Sequence, residues 1–165
     1  MDSAFVYGDR IAEALRDGER LDGAFMVAYM AGEERMGLPD PGPSFDLVNG
    51  LDVPAWNAAA ERLVAGVSLV GAPGTLAHSA KGAFSGGEAD HLLITGERIA
   101  AAHVDGQRAS LVWEAPRAAL LGARRSPRLL QRGRVTLAWS DGSLLRLVAG
   151  MVFTREAHRL VALLG

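Results

Sequence analysis

The densest group of side chains able to do chemistry in this 165-residue chain is a run of arginines in its second half. Residues 117–134, RAALLGARRSPRLLQRGR, contain no acidic residue and carry Arg117, Arg124, Arg125, Arg128, Arg132 and Arg134. A guanidinium presents a planar fork of donors that matches a carboxylate or a phosphate. The spacing therefore predicts an interaction surface for an anionic group.

Several binding partners are possible for these arginines. Residues 1–90 carry 14 acidic and 6 basic side chains, whereas residues 91–165 carry 5 acidic and 11 basic ones. We favour a contact with the acidic first half of the same chain. The next hypothesis is that the arginines form an ordinary solvated edge of the protein. An acidic protein partner and an anionic membrane are further hypotheses. Nucleic acid is disfavoured, because the net charge is −2 and no exposed aromatic platform accompanies the arginines.

The histidines do not predict a metal site. His78, His91, His103 and His158 include no pair at metal-ligand spacing on one helix or strand, whereas zinc needs three or four convergent ligands. The chain has no cysteine, which excludes disulfides, thiolate metal sites and a cysteine nucleophile. We therefore expect no metal and no cofactor.

Two serines and one lysine also fail the motifs that they suggest. A nucleophile elbow requires glycine two positions on either side of its serine. Ser79 has Ala77 and Lys81 at these positions, and Ser85 has Ala83 at the first of them. Lys81 precedes Gly82 and no Ser or Thr follows it, so a phosphate-binding loop is not formed. The composition of residues 71–90 predicts a flexible loop instead. We assign no catalytic residue and predict that the protein is not an enzyme.

The first half of the chain predicts helices around one central strand. Apolar residues at helical spacing indicate a helix over residues 3–17. Residues 25–30 are apolar on both faces, which predicts a strand that is covered on both sides or meets a partner, including a second copy of the chain. A further helix is expected over residues 53–65, anchored by Trp56, and a strand in the short apolar run 67–71.

From residue 91 the chain reads as short strands separated by turns and followed by one helix. The expected strands are 91–95, 98–104, 109–114, 120–125, 134–140 and 143–149. Pro116 should break pairing, and Asp141-Gly142 should form a tight hairpin turn. Thr154 should cap the closing helix.

This layout resembles the bacterial PH-like and GRAM-type domains. The matching segments are the "GE" opening in residues 15–20, the "hydrophobic–Thr–x–x–Arg" strand and turn in 91–98, the last hairpin turn in 141–143 and the capping helix in 154–164. The resemblance implies a partly open antiparallel barrel that binds lipids or proteins. In PH domains the basic lipid-binding residues lie around the first hairpin, and this chain is acidic there, over residues 20–50.

The predicted fold class is α+β, a single PH-like domain over residues 1–165. It is an antiparallel, partly open barrel closed by a C-terminal helix, with an N-terminal helix and a helical insertion at 32–90, of which 71–90 is flexible. No secretory signal is expected, and no run of 18 apolar residues occurs, so we predict a cytoplasmic location.

The predicted function is a non-enzymatic module that binds a protein partner. A peripheral membrane module that uses residues 117–134 is the first alternative. A small enzyme or ligand carrier, with a pocket between the barrel and the insertion, is the second.

Overall fold

A computed structural model describes residues 3–36, 67–127, 131–150 and 154–165. Within these residues the fold is α+β, with three α-helices and a nine-stranded, mostly antiparallel open sheet. The helices are α1 (Ser3–Ala14), α2 (Leu76–Ser85) and α3 (Arg155–Leu164). The strands are β1 (Leu21–Ala28), β2 (Glu33–Arg35), β3 (Val67–Val70), β4 (His91–Thr95), β5 (Arg98–Val104), β6 (Ala109–Pro116), β7 (Leu120–Arg125), β8 (Arg134–Trp139) and β9 (Leu144–Ala149). A short 3-10 turn, Arg117–Ala119, links β6 to β7.

Strand β1 joins two antiparallel meanders. It pairs with β4, and β5 and β6 follow in order. Strands β7, β8 and β9 form the second meander, and the end of β1 pairs with the end of β9, where Val27 lies opposite Ala149. Strand β3 pairs with the start of β9, and β2 adds to β3 in parallel. Among the described strands, β2, β6 and β7 therefore have one free edge each.

The main core lies between the two meanders. Alternate residues of β8, namely Val135, Leu137 and Trp139, point into it, and α2 and α3 pack against them. The Trp139 ring meets Trp113 of β6 edge-to-face, with 5.6 Å between ring centroids; Trp139 is buried in this core and the partly buried Trp113 packs against it. A smaller cluster, centred on Ile11 of α1, lies on the outer side of β1, β4 and β5.

Residues 71–90 are not the loop that their composition predicts. They contain α2, whose small residues Ala77, Ala80 and Ala83 are buried in the core together with Phe84. Small side chains allow a helix to approach the sheet closely. The abundance of alanine here therefore reflects close packing, and the expectation of a flexible loop is wrong over the residues of α2.

Helix α2 is capped from a distant turn. The Leu76 N–H donates to Asp141 Oδ2 at 2.7 Å, and the Ala77 N–H donates to Ser143 Oγ at 3.0 Å. These bonds satisfy amides that have no partner within the helix. Thr154 occupies the N-cap position of α3, as expected, but its side chain makes no capping hydrogen bond.

Strand β6 continues through Pro116, which was expected to break pairing. Pro116 lies opposite Arg98, and the Arg117 N–H donates to Glu97 O at 2.8 Å. Because amides alternate in direction along an antiparallel strand, the position without an N–H faces away from β5. Proline therefore removes no ladder bond, and it blocks a further strand at this free edge.

The remaining elements follow the predictions closely. The strands from β3 onward and the closing helix are confirmed, whereas α1 ends at Ala14 and β1 ends at Ala28, each earlier than expected. Within β1, Ala24 lies under α1 and Met26 is exposed, so only part of its second face is covered. The helix expected over 53–65 and Trp56 lie outside the described residues. None of the described helices is long and apolar enough to cross a membrane.

Candidate interaction site

Strand β7 is an open edge that carries part of the arginine run. On its paired side, the Ser126 N–H just beyond the strand donates to Arg134 O at 2.9 Å. Because amides alternate in direction, those of Ala123 and Arg125 point away from β8. None of the described strands pairs with that side. The edge therefore offers unpaired backbone donors and acceptors to an added strand.

Three arginines flank this edge and have no acidic partner among the described residues. Arg117 is half-buried in the 3-10 turn before β7, and Arg132 is exposed in the turn before β8. Arg125 ends β7, where its Nη2 donates to the Arg132 carbonyl oxygen at 3.5 Å and its buried Nε has no hydrogen bond. Guanidinium groups in this state favour an anionic ligand.

The other members of the run lie on a different surface. Arg124 lies opposite Thr136, and both alternate with core residues, so they belong to the outer face of the second meander. Arg134 lies on the same face and is buried. Both arginines make contacts of their own. Arg128 lies outside the described residues, so the run is divided between an open edge and an outer face.

One arginine was missed by sequence reasoning. Arg146 of β9 lies opposite Thr136 on the outer face, and it is only 6% exposed. Its Nε has no hydrogen bond. The sequence of β9 could have predicted this position, because side chains alternate between the two faces of a strand. Leu145 and Leu147 face the core, so Arg146 must face the other way.

Two distant sequence motifs meet in a buried network of ion pairs. Glu19, whose side chain is 1% exposed, accepts from Thr95 Oγ1 at 2.7 Å and from Arg98 Nε at 2.8 Å through Oε1, and from Arg98 Nη2 at 2.7 Å through Oε2. Arg98 also pairs with Glu114, which binds Arg16 at 2.8 Å. The hydrogen bonds from Arg98 lower the pKa of Glu19 to about 2. The network ties the start of β1 to the β4–β5 turn and to β6.

Lys81 belongs to a second polar cluster, formed with Tyr29, Glu34 and Ser68. Its Nζ donates to Glu34 Oε2 at 3.0 Å and lies 5.9 Å from the centroid of the Tyr29 ring. The Tyr29 hydroxyl donates to Glu34 Oε1 at 2.5 Å and contacts Ser68 Oγ at 2.9 Å. Burial, reinforced by the bond to Glu34, raises the pKa of Tyr29 to about 12. The ammonium group is thus held by a carboxylate on β2.

The histidines are dispersed. His91 is buried, with Nδ1 2.6 Å from Asp90 Oδ1, and the exposed His103 places its Nδ1 3.3 Å from Asp90 Oδ2. His78 lies on α2 and His158 on α3. In the described part of the chain, no three His, Asp or Glu side chains converge to hold a metal ion.

The candidate serine nucleophiles sit on helix α2. Ser79 and Ser85 are both exposed there, and neither hydroxyl has a hydrogen-bond partner among the described residues. A serine nucleophile needs a base within hydrogen-bond reach. A pocket between the barrel and the insertion would involve residues 37–66, which lie outside the described residues.

No protein-family model matches this chain, and neither a curated protein nor a solved structure is similar to it. The open edge of β7 and the arginines beside it are the features that most clearly call for a ligand. Both belong to the second meander.

Proposed function

We propose that this protein is a PH-like, non-enzymatic module of the cytoplasm that binds an acidic, extended segment of a protein partner along the edge of β7. The observation that carries the proposal is the open edge flanked by Arg117, Arg125 and Arg132. In strand addition, main-chain hydrogen bonds supply affinity and side-chain contacts supply specificity. A segment that carries carboxylates would satisfy both the edge amides and the guanidinium groups.

The strand order supports the PH-like assignment. A four-stranded meander from β1 to β6 faces a three-stranded meander from β7 to β9, and α3 packs against β7 and β1. The two motifs behind the resemblance are also in contact, because Glu19 binds both Thr95 and Arg98. This contact gives a physical reason for finding both motifs in one chain.

The other free edges are less suitable for an added strand. Strand β6 ends on Pro116, whose ring stands where an edge amide would be, and β2 has only three residues. Strand β7 has six residues and no proline. An added strand therefore meets no proline ring along the free edge of β7.

Fluorescence anisotropy with a labelled peptide of alternating Glu and Val residues tests the proposal. Ala123→Pro removes an amide that faces the open edge, and Arg125→Glu reverses the charge at its end. We expect each change to weaken binding about tenfold or more, the equivalent of about one charged hydrogen bond. Arg108→Glu, in the exposed turn between β5 and β6, changes the net charge equally and should leave binding near the wild-type level.

Four further results decide between strand addition and the alternatives. Circular dichroism must show that the variants are folded, and a peptide with Lys in place of Glu should not bind. Equal peptide binding by folded Ala123→Pro and wild type would contradict strand addition. Salt-sensitive sedimentation with phosphatidylserine vesicles, lost in an Arg125→Ala, Arg132→Ala variant, would favour the peripheral membrane alternative, where each arginine contributes about 1 kcal/mol.

A further inference from the structure

The free edge of β7 is regular over only part of its length. Leu120 lies opposite Trp139, whereas Gly122 lies opposite the next residue of β8, Ala138. Leu121 is therefore an extra residue that bulges out of the ladder. A bulge bends its strand and disrupts the pairing around it. A new strand can therefore pair regularly with β7 only from Gly122 onward.

The other end of the regular stretch is closed by a proline. The amides of Ala123 and Arg125 point away from β8, whereas the Ser126 N–H donates to β8. Residue 127 is the next position whose amide would face outward, and it is the exposed Pro127, which has no N–H. Within residues 122–127, an added strand thus finds both an N–H and a C=O group at Ala123 and at Arg125.

So short a ladder limits which arginines a ligand can reach. Two such residues give about four main-chain hydrogen bonds, and this gain is small beside the freedom that a bound peptide loses. Side-chain contacts must therefore supply much of the affinity. Arg117 lies eight positions before Arg125, on the far side of the bulge, so a ligand paired with residues 122–126 does not extend to it.

Arg125 and Arg132 lie together at the end where the ladder is regular. Arg125 leaves β7 on its core-facing side, because it lies opposite Val135, which points into the main core. Its Nη2 donates to the Arg132 carbonyl oxygen at 3.5 Å, and its Nε has no hydrogen bond. The guanidinium group of Arg125 therefore has donors left for a carboxylate on this side of an added strand.

The outer side of the same stretch offers an added strand much less. Gly122, Arg124 and Ser126 alternate with the core-facing residues and lie on this side. Glycine has no side chain, Arg124 already makes contacts, and Ser126 Oγ lies 3.1 Å from Thr136 Oγ1. The two sides of the edge therefore differ in the ligand side chains that they favour.

Side chains directly opposite each other on paired strands project from the same face. In an extended ligand, residues two positions apart share a face, and adjacent residues do not. Building on the strand addition proposed above, we propose that the β7 edge recognises a short motif with carboxylates at positions i and i+2. One carboxylate lies opposite Arg125, and the other lies just beyond the strand, beside Arg132. Two adjacent carboxylates do not fit, because one of them is directed to the outer side.

Two capped peptides of equal composition test the motif: Val-Glu-Val-Glu-Val and Val-Val-Glu-Glu-Val. Each competes with the labelled alternating peptide for the full chain in the anisotropy assay. We expect the first peptide to bind about tenfold more tightly, the equivalent of about one charged hydrogen bond. Sliding or reversing the second peptide does not help it, because its two carboxylates lie on opposite faces in every register. Both peptides carry the same charge, so a diffuse attraction to the arginines would give equal affinities.

Substitution of Arg132 should change this preference. Arg132→Ala removes the partner of the second carboxylate, and the ratio of the two affinities should fall to about twofold or less. Arg132→Lys keeps the charge and should retain part of the preference. Arg108→Ala, in the exposed turn between β5 and β6, is the matched control and should keep the full ratio.

Equal affinities of the two peptides for the wild type would overturn the proposal. So would a preference that Arg132→Ala leaves unchanged. If the labelled peptide binds but neither short peptide competes, recognition extends beyond residues 122–127, and the motif is wrong although strand addition stands. If the labelled peptide itself does not bind, the proposed function fails and the motif fails with it.

Discussion

Glu19→Gln should reveal how much of the folding stability depends on the buried ion-pair network. Hydrogen bonds from Arg98, with further bonds from the Arg16 amide and the Thr95 hydroxyl, lower the pKa of Glu19 from 4.5 to about 2. A carboxyl group whose pKa is lowered by folding stabilises the folded state above its unfolded pKa. That stabilisation is lost as the pH falls from about 4.5 towards 2.

The magnitude follows from the pKa. A lowering of about 2.5 pH units, at about 1.4 kcal/mol per unit, corresponds to about 3 kcal/mol at pH 7. Solvent screening is small, because the Glu19 side chain is 1% exposed. At pH 3, between the two pKa values, about 1 kcal/mol remains. Glu19→Gln removes the charge and should therefore lower the free energy of unfolding by about 3 kcal/mol at pH 7 and about 1 kcal/mol at pH 3.

Urea unfolding followed by tryptophan fluorescence measures these free energies at both pH values. Glu13→Gln, at an exposed position of α1, is the matched control and should change the free energy of unfolding by less than about 0.5 kcal/mol. The reasoning is refuted if Glu19→Gln costs the same at pH 7 and pH 3. A cost below about 1 kcal/mol at pH 7 would refute it equally.

Two further substitutions test smaller features. Asp141→Ala removes the acceptor for the Leu76 amide and should lower the free energy of unfolding, measured in urea, by about 1 kcal/mol. Asp141→Asn keeps an acceptor oxygen and should retain much of that stability. An unchanged urea midpoint for the alanine variant would contradict the cap. Tyr29 should ionise near pH 12 in an absorbance titration, and Tyr29→Phe should lack that step. A tyrosine pKa that folding raises stabilises the fold only at pH values below that pKa. Tyr29→Phe should therefore lose less stability than the wild type between pH 10 and 12. Complete tyrosine ionisation by pH 11 in the folded wild type would contradict this environment.

The strands after residue 91 were predictable because their local signals agree. Alternation, β-branched residues and the Asp141-Gly142 turn all point to the same hairpins, and β4 and β5 match the expected ranges. Helix α2 was harder to predict. Its Gly, Ala and Ser content is compatible with a loop, and its only local cap is Thr75, whose Oγ1 accepts from the His78 N–H at 3.4 Å. Its first two amides bind Asp141 and Ser143, more than sixty positions further along the chain.

Only part of the candidate site could be predicted from the sequence. A run of arginines is a local property, so its existence could be predicted. Which face each arginine occupies depends on register, and the neighbours Arg124 and Arg125 point to opposite faces of β7. Arg146 stands alone among leucines and valines, and only the arrangement of β8 beside β9 brings it to the same face as Arg134.

The pairing of β1 with β9 has a consequence for synthesis on the ribosome. Strand β1 ends at Ala28 and its second partner ends at Ala149, so at about 5–20 residues per second the first strand waits on the order of ten seconds for the last. Helix α2 waits in the same way for the turn that caps it. A chain released before residue 141 keeps an unpaired edge on β1 and lacks the distant acceptors for the first amides of α2. Such truncated products should be prone to aggregation and dependent on chaperones.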